Sequence, residues 1–345
     1  MLAIESGCEE KKLHTVLLAK IHEALKDSPR PGSPGKFTAE DYCRIMGVAL
    51  EDPSQSGLPI THWTLTELRS EVIKRGIVTS ISRAQLGNFL KSGDLKPHKV
   101  KGWMMPKCSP GELAEGSKAI CDVYVGAAEA WAKDGIKTIS VDEKTGMQAL
   151  GRDAPDLPAK AGQVCKQEYE YTRHGTQCLT ANWDVVEGKV IAPTIGPTRN
   201  EEDFRAHIQQ TVESMEGVKQ WRFVSDNLNT HKSEALVRYV AAMIGLKGEE
   251  LGEKGKSGIL ANMETRAAFL KDPQHPVYFV YTPKHCSWLN QVEIWFGILS
   301  RKLLRRGNFT SIGNLKEKVL AFIAYFNQVL AKPFKWTYNG KPCKA

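Results

Sequence analysis

Apolar positions follow two rhythms along this chain. Through the first 133 residues they recur every three to four positions, the spacing of helices that bury one face. Leu13, Val16, Leu17, Ile21 and Leu25 form one such stripe within residues 11–26. Three prolines and two glycines in residues 27–36 then forbid a helix and predict extended backbone. Thr38-Ala-Glu-Asp41 starts a helix that runs to about Ala49. Thr64-Leu-Thr-Glu67 is a capping box, and the helix it opens, 65–75, is expected to bury Leu65, Leu68, Val72 and Ile73. Ser82-Arg-Ala-Gln85 is a second box, opening a helix over 83–91. Two short helices joined by a tight connection containing Gly76 have helix-turn-helix form. Residues 110–133 predict one longer helix leading out of this region.

From Gly135 the pattern alternates between strands and helices. Strands are expected at 137–142, 168–172, 177–184, 190–193, 221–225 and 277–281, where β-branched and aromatic residues collect. Lys144-Thr145-Gly146 predicts a turn before a paired strand at Met147, and Arg173-His174-Gly175 a hairpin connection. Helices are expected from Asn200 to about Met215, from Ser233 to Ile244, and over 313–330. Between Thr282 and Gly307 the chain turns into a helix whose Trp288, Val292, Trp295, Phe296, Leu299, Leu303 and Leu304 share one buried face, with Gly307 as its stop. Residues 247–276, rich in glycine and charge with a helical centre, read as an insertion, and the tail after Pro333 as loose chain. Strands alternating with helices place this region in the α/β class.

Composition narrows the picture. The 345 residues suffice for two or three domains. At 41% hydrophobic and 25% charged, they describe an ordinary soluble protein. A net charge of +8 favours a polyanionic partner. The eight cysteines lack zinc-ligand or disulfide-framework spacing, which implies reduced thiols and a cytoplasmic setting. No apolar run reaches membrane-spanning length, and no signal-peptide pattern opens the chain.

Three acids obey one structural rule. Asp142 ends the first strand, Asp226 follows a second buried strand, and Glu293 lies on the helix after a third. Groups at strand ends of an α/β sheet converge along one edge. Carboxylates gathered there raise each other's pKa unless a cation is present, and hard oxygen ligands select Mg²⁺ or Mn²⁺. Two such ions roughly 3.5–4 Å apart suit phosphoryl transfer. Candidate DNA contacts surround these acids. Arg30 and Lys36 lie in the linker, Ser82, Arg83, Gln85 and Asn88 on the second helix of the helix-turn-helix, and Lys96 and Lys99 behind it. Arg173 and His174 stand beside the first acid, Asn227 and His231 after the second, where they could hold the scissile phosphate or orient Asp226, and His285 and Asn290 before the third. Arg301, Lys302, Arg305 and Arg306 form a basic cluster after Glu293. The plain alternatives are a helix cap, a satisfied core histidine, a loop salt bridge and a solvated basic face. Trp288 and Trp295 read as core.

Four motifs stand in fixed order: Ser-Val-Asp-Glu-Lys-Thr-Gly (140–146), Arg173-His174-Gly175-Thr176, Ser225-Asp226-Asn227 with His231, and His285-Cys-Ser-Trp-Leu-Asn-Gln-Val-Glu-Ile-Trp-Phe296. Through them residues 27–331 resemble the mariner-type superfamily of DDE transposases, in particular its bacterial insertion-sequence branch. SWLNQVEIWF carries most of the likeness. The resemblance implies an α/β RNase H-like catalytic core, a mixed sheet flanked by helices, preceded by a small all-α helix-turn-helix domain. It implies that Asp142, Asp226 and Glu293 are the catalytic and metal-holding triad for two Mg²⁺ or Mn²⁺ ions. It further implies a homodimer that cuts terminal inverted repeats in double-stranded DNA and joins the 3′-hydroxyl to target DNA at TA, with no membrane role, in bacterial cytoplasm at the nucleoid.

The domains expected are a remnant N-terminal helix (1–26), a linker (27–37), a helix-turn-helix domain (38–105), a connecting helix (106–134), a catalytic domain (135–331) with an insertion (247–276), and a tail (332–345). The chain departs from the family pattern twice. About 26 residues precede the linker, where the family has a complete first helix-turn-helix. Asp226 and Glu293 are 67 positions apart (293 − 226), longer than the family interval, and the insertion accounts for the excess. Two competing readings are a catalytically silent DNA-binding protein of transposase descent and an RNase H-like nuclease without strand transfer.

Overall fold

The computed structural model describes residues 36–99 and 109–339. The expected helix 11–26, the linker to residue 35 with Arg30, residues 100–108 and residues 340–345 lie outside the described residues. The chain divides into two compact units at residue 103.

The first unit contains α1 (Ala39–Leu50), α2 (Leu65–Lys74) and α3 (Arg83–Ser92). Thr38 and Thr64 make full capping boxes with Asp41 and Glu67. Ser82 accepts from the Gln85 amide without the return bond expected of a box. Ile45, Trp63, Leu68, Val72 and Leu86 form the core between the three helices. Leu65, expected inside, is 38% exposed at the first position of α2.

The second unit is built on a five-stranded mixed sheet in the order β3-β2-β1-β4-β5. The strands are β1 (Ile136–Arg152), β2 (Tyr171–Asp184), β3 (Lys189–Gly196), β4 (Gln220–Ser225) and β5 (Val277–Tyr281). β1–β2 and β2–β3 pair antiparallel, and β1–β4 and β4–β5 pair parallel. The expected helix 110–133 is two helices, α4 (Pro110–Val125) and α5 (Ala127–Asp134), divided at Gly126. The remaining helices are α6 (Glu201–Glu213), α7 (Glu234–Met243), α8 (Met263–Leu270), α9 (Gln291–Lys302) and α10 (Ile312–Tyr325). One core, with Ile120, Tyr124, Trp183, Trp295 and Val319, packs α4, α5, α9 and α10 on one face. A second core, with Ile139, Phe204, Phe223, Leu236 and Leu270, packs α6, α7 and α8 on the other.

Two expected turns are bulges inside longer strands. Lys144 pairs with Leu179 and Met147 with Gln177, so β1 carries one extra residue against β2. A one-residue slip reverses which face each side chain meets. Ile139 and Val141 accordingly join the α6–α8 core, while Met147 and Ala149, at the same parity, join the other. Gly146 supplies the left-handed backbone at φ +69°. The expected connection at 173–175 also lies within β2, as an extra residue between the Ala149–Gly175 and Leu150–Arg173 pairs.

The 247–276 stretch, read as an insertion, is anchored to the sheet: Leu251, Leu260 and Leu270 belong to the α6–α8 core. Two further expectations are corrected. Residues after Pro333 are held, because Phe334, Trp336 and Tyr338 alternate inward along extended chain. Phe334 stacks on Trp183 at 4.3 Å between centroids, and Trp336 meets Tyr124 edge-on at 5.0 Å. The helix before Gly307 starts only at Gln291 and ends at Lys302, with separate short turns at Ser287–Leu289 and Leu304–Arg306. Trp288 lies in the first of those turns and is 52% exposed, while Trp295 is fully buried.

Candidate active site

The parallel ladder between β1 and β4 ends at the Ser140–Val224 pair. Asp142 and Asp226 each lie two residues beyond it, so register sets them level on adjacent strands, whose spacing is about 4.8 Å. Asp142 therefore does not end its strand: β1 runs on to pair with β2, and only its pairing with β4 stops. Asp142, Asp226 and His231 offer ligand atoms that all lie within 4.8 Å of one another.

Each aspartate has its own support. Asn290, fully buried, donates from Nδ2 to Asp142 Oδ2 (3.2 Å) and to the Val141 carbonyl (2.9 Å). Ser140 Oγ donates to Asn290 Oδ1 and accepts from the Val292 amide at 2.9 Å, tying β1 to the start of α9. Asp226 Oδ1 accepts from His231 Nδ1 (2.8 Å) and from the Leu228 amide (2.9 Å). His231 Nε2 donates to Glu143, whose two oxygens both lie 3.1 Å away.

Electrostatics separate the two carboxyls. Burial, then the charge of Asp226, pushes Asp142 up to about 7. Burial would also raise Asp226, but the hydrogen bond and charge of His231 outweigh it and leave its carboxyl below the usual range. Burial alone would lower His231. Its bonds to Asp226 and Glu143 prevail and push it up to about 10, so the imidazolium is the resident counter-charge.

Glu293 is an exposed residue in the first turn of α9, outside the 4.8 Å group but near enough for the Asp226 charge to act on it. Partial burial raises its pKa, and Lys144 opposes that rise. Lys144 also lines a cleft of about 430 Å³ with Gly146, Gln148, Ser300, Arg301 and Arg305. Beside Asp226, a second cleft of about 410 Å³ is lined by Asn227, Thr282, Lys284, His285 and Ser287.

Of the expected DNA contacts, Lys36, Ser82, Arg83, Asn88, Lys96, Lys99, Arg173, His174, His285, Arg301, Lys302, Arg305 and Arg306 are exposed, and Gln85 is half-buried. Two are directed inward, and for His231 this matches the alternative expectation that it orients Asp226. Asn290 and His231 have no solvent exposure and are committed to the two aspartates. Asn227 is half-buried and spans loops, donating to the Thr282 carbonyl and accepting from Lys232. Arg173 and His174 are strand residues, and Arg173 donates to the Tyr171 hydroxyl at 3.2 Å. Sequence reasoning missed Glu143, Ser140 and Lys144. The signal for Glu143 was a carboxylate at the same strand parity as Ile139 and Val141, where only a paired charge is tolerated.

A family model described as DDE superfamily endonuclease matches residues 137–316. Among solved structures, the Mos1 mariner paired-end complex with Mn is similar with a TM-score of 0.50 at 14% identity, over 87% of this chain and 75% of that one. The Mos1 strand transfer complex is similar with a TM-score of 0.48 at 14% identity, over 86% and 74%. The mixed sheet flanked by helices is thus that of an RNase H-like catalytic domain. No curated protein sequence matches the chain.

Proposed function

Because this chain belongs to the DDE superfamily of endonucleases, we propose that it is a DNA transposase of the mariner type, from the bacterial insertion-sequence branch. The observation that carries this reading is the level pair Asp142 and Asp226, one of them raised to about 7 by burial and by the other. A strand edge that gathers carboxyls at such a cost is built for a cation. The donor set fits Mg²⁺ or Mn²⁺: hard oxygens from Asp142 and Asp226 in one group, with Glu293 near enough to feel the charge of Asp226. When bound, two such ions would activate the attacking oxygen and stabilise the leaving one.

The residues themselves do the rest. Asn290 and Ser140 hold Asp142 against β1, and His231 holds Asp226. Glu293 closes the edge from α9. Cations lining the adjacent cleft, Lys144, Arg301 and Arg305, bind the phosphodiester strand. Water adds to phosphorus at the transposon end and the 3′-oxygen leaves with a proton. That freed 3′-hydroxyl then adds to a target phosphorus and expels a target 3′-oxygen. No enzyme side chain becomes covalently attached. Target choice at TA and action as a homodimer in bacterial cytoplasm belong to the same reading. It is supported by the fold shared with the Mos1 paired-end complex.

The test is a supercoiled plasmid carrying the gene and its flanking DNA, incubated with the protein and Mg²⁺. Cuts with 3′-hydroxyl ends and linear insertion products are expected, and neither in chelator. Asp142→Asn, Asp226→Asn or Glu293→Gln should abolish cutting with DNA binding retained. Wild-type cutting by any of these variants removes that residue from the triad.

A further inference from the structure

Glu143 follows a candidate cation ligand in sequence yet faces the other way. Strand alternation turns Asp142 toward α9, where Asn290 meets it, and turns Glu143 with Ile139 and Val141 toward α6 and α7. A carboxylate on that apolar face is costly unless paired. Its side chain is 3% exposed, and both oxygens engage Nε2 of His231, which is fully buried. The opposite ring nitrogen engages Asp226 Oδ1. An imidazole is rigid, so holding one nitrogen aims the other. Phe204, 4.3 Å away between centroids, packs against the ring, and the Tyr281 hydroxyl donates to the His231 carbonyl at 2.8 Å. The ring therefore bridges β1 and the residue after β4.

We infer that Glu143 is a positioning residue for the divalent-cation site: through His231 it sets the direction of the Asp226 carboxylate without touching ion or DNA. The inference rests on the proposed function, since it concerns the same site. Partners of this kind hold a ligand in place, and losing one typically costs about 10–100-fold in metal affinity.

The experiment is calorimetric titration of Mn²⁺ into the full chain without DNA. Glu143→Gln keeps the side chain's shape but offers one acceptor instead of two. His231→Asn keeps a donor near the Nδ1 position for Asp226 but reaches nothing at Glu143. Both variants should bind Mn²⁺ about 10–100-fold more weakly while melting well above the titration temperature. A pure charge effect gives opposite signs, because removing an anion weakens cation binding and removing a cation strengthens it. Binding by His231→Asn at wild-type strength or tighter overturns the proposal, as does an unchanged Glu143→Gln. If one variant does not fold, the other decides. A wild-type chain that takes up no Mn²⁺ overturns the functional reading and this proposal together, and that result shows in the first titration.

Discussion

A buried histidine is either charged and paired or neutral, and this chain holds one of each within the same core. His231 has two carboxylate partners. His207 is fully buried with only Thr194 Oγ1 at 2.9 Å, its Nε2 has no partner, and burial pushes its pKa down to about 3. In the unfolded chain the same ring takes a proton near its ordinary value of 6.5. The unfolded state therefore binds more protons between those values. The contribution of His207 is complete above pH 6.5 and is lost as pH falls toward 3, at most about 1.4 kcal/mol per pH unit. His207→Asn, whose amide can still meet Thr194, should remove this dependence. Urea midpoints at roughly pH 7 and roughly pH 4.5 should show the wild type losing more stability on acidification than the variant. Equal losses would mean that the native ring accepts a proton as easily as the unfolded one. At this scale the nearness of Asp142 to Asp226 was legible, because each closes a β-branched or aromatic run beside a specific motif, while either acid alone reads as an ordinary turn or cap. Glu143 was not, since adjacency in sequence conceals that a strand sends neighbours to opposite faces.

Element centres were legible and element ends were not. The strands at 137–142, 177–184, 221–225 and 277–281 all lie within observed strands, because alternating β-branched and aromatic residues have few other uses. Gly146 and Gly175 read as turns because glycine marks both turns and bulges, and only the partner strand distinguishes them. How the 247–276 stretch packs was hidden for another reason. Its glycines and charges dominate the composition, while the leucines that enter the core are scattered among them. This yields a prediction about the element. Leu260 is fully buried, so Leu260→Ala should cost about 2–5 kcal/mol in denaturant unfolding. Lys256→Ala, at an exposed position of the same stretch paired only with Glu253, should stay within about 0.5 kcal/mol of wild type. Comparable small losses for both would make the stretch peripheral after all.

For the molecule as a whole, the order of strands and helices implied an α/β sheet and the resemblance its mixed pairing, but the approach of Asp142 to Asp226 was legible only through the motifs around them. Periodicity carries no information about register between segments that far apart. Charge is the remaining whole-molecule property, and its placement matters more than its sum of +8. Many surface cations are spent on neighbouring acids, as Lys118 is on Asp122 and Lys133 on Glu129. Lys144, Arg301 and Arg305 make no ion pair among the described residues, and all three line one cleft beside Glu293. Unpaired cations in a concave surface attract a polyanion and release its counterions on contact. Each phosphate so neutralised adds about 0.9 to the slope of log affinity against log salt for duplex DNA. Replacing all three residues with glutamine should therefore weaken DNA binding at low salt and flatten that slope by about 2 to 3. The loss should be uniform across DNA sequences, because phosphate contacts carry no base information. Neutralising Lys118 and Lys133 removes equal charges per residue from paired sites and should leave the slope almost unchanged. Fluorescence anisotropy of a labelled duplex across a KCl series measures both. A triple variant that keeps the wild-type slope would place the DNA strand on some other surface.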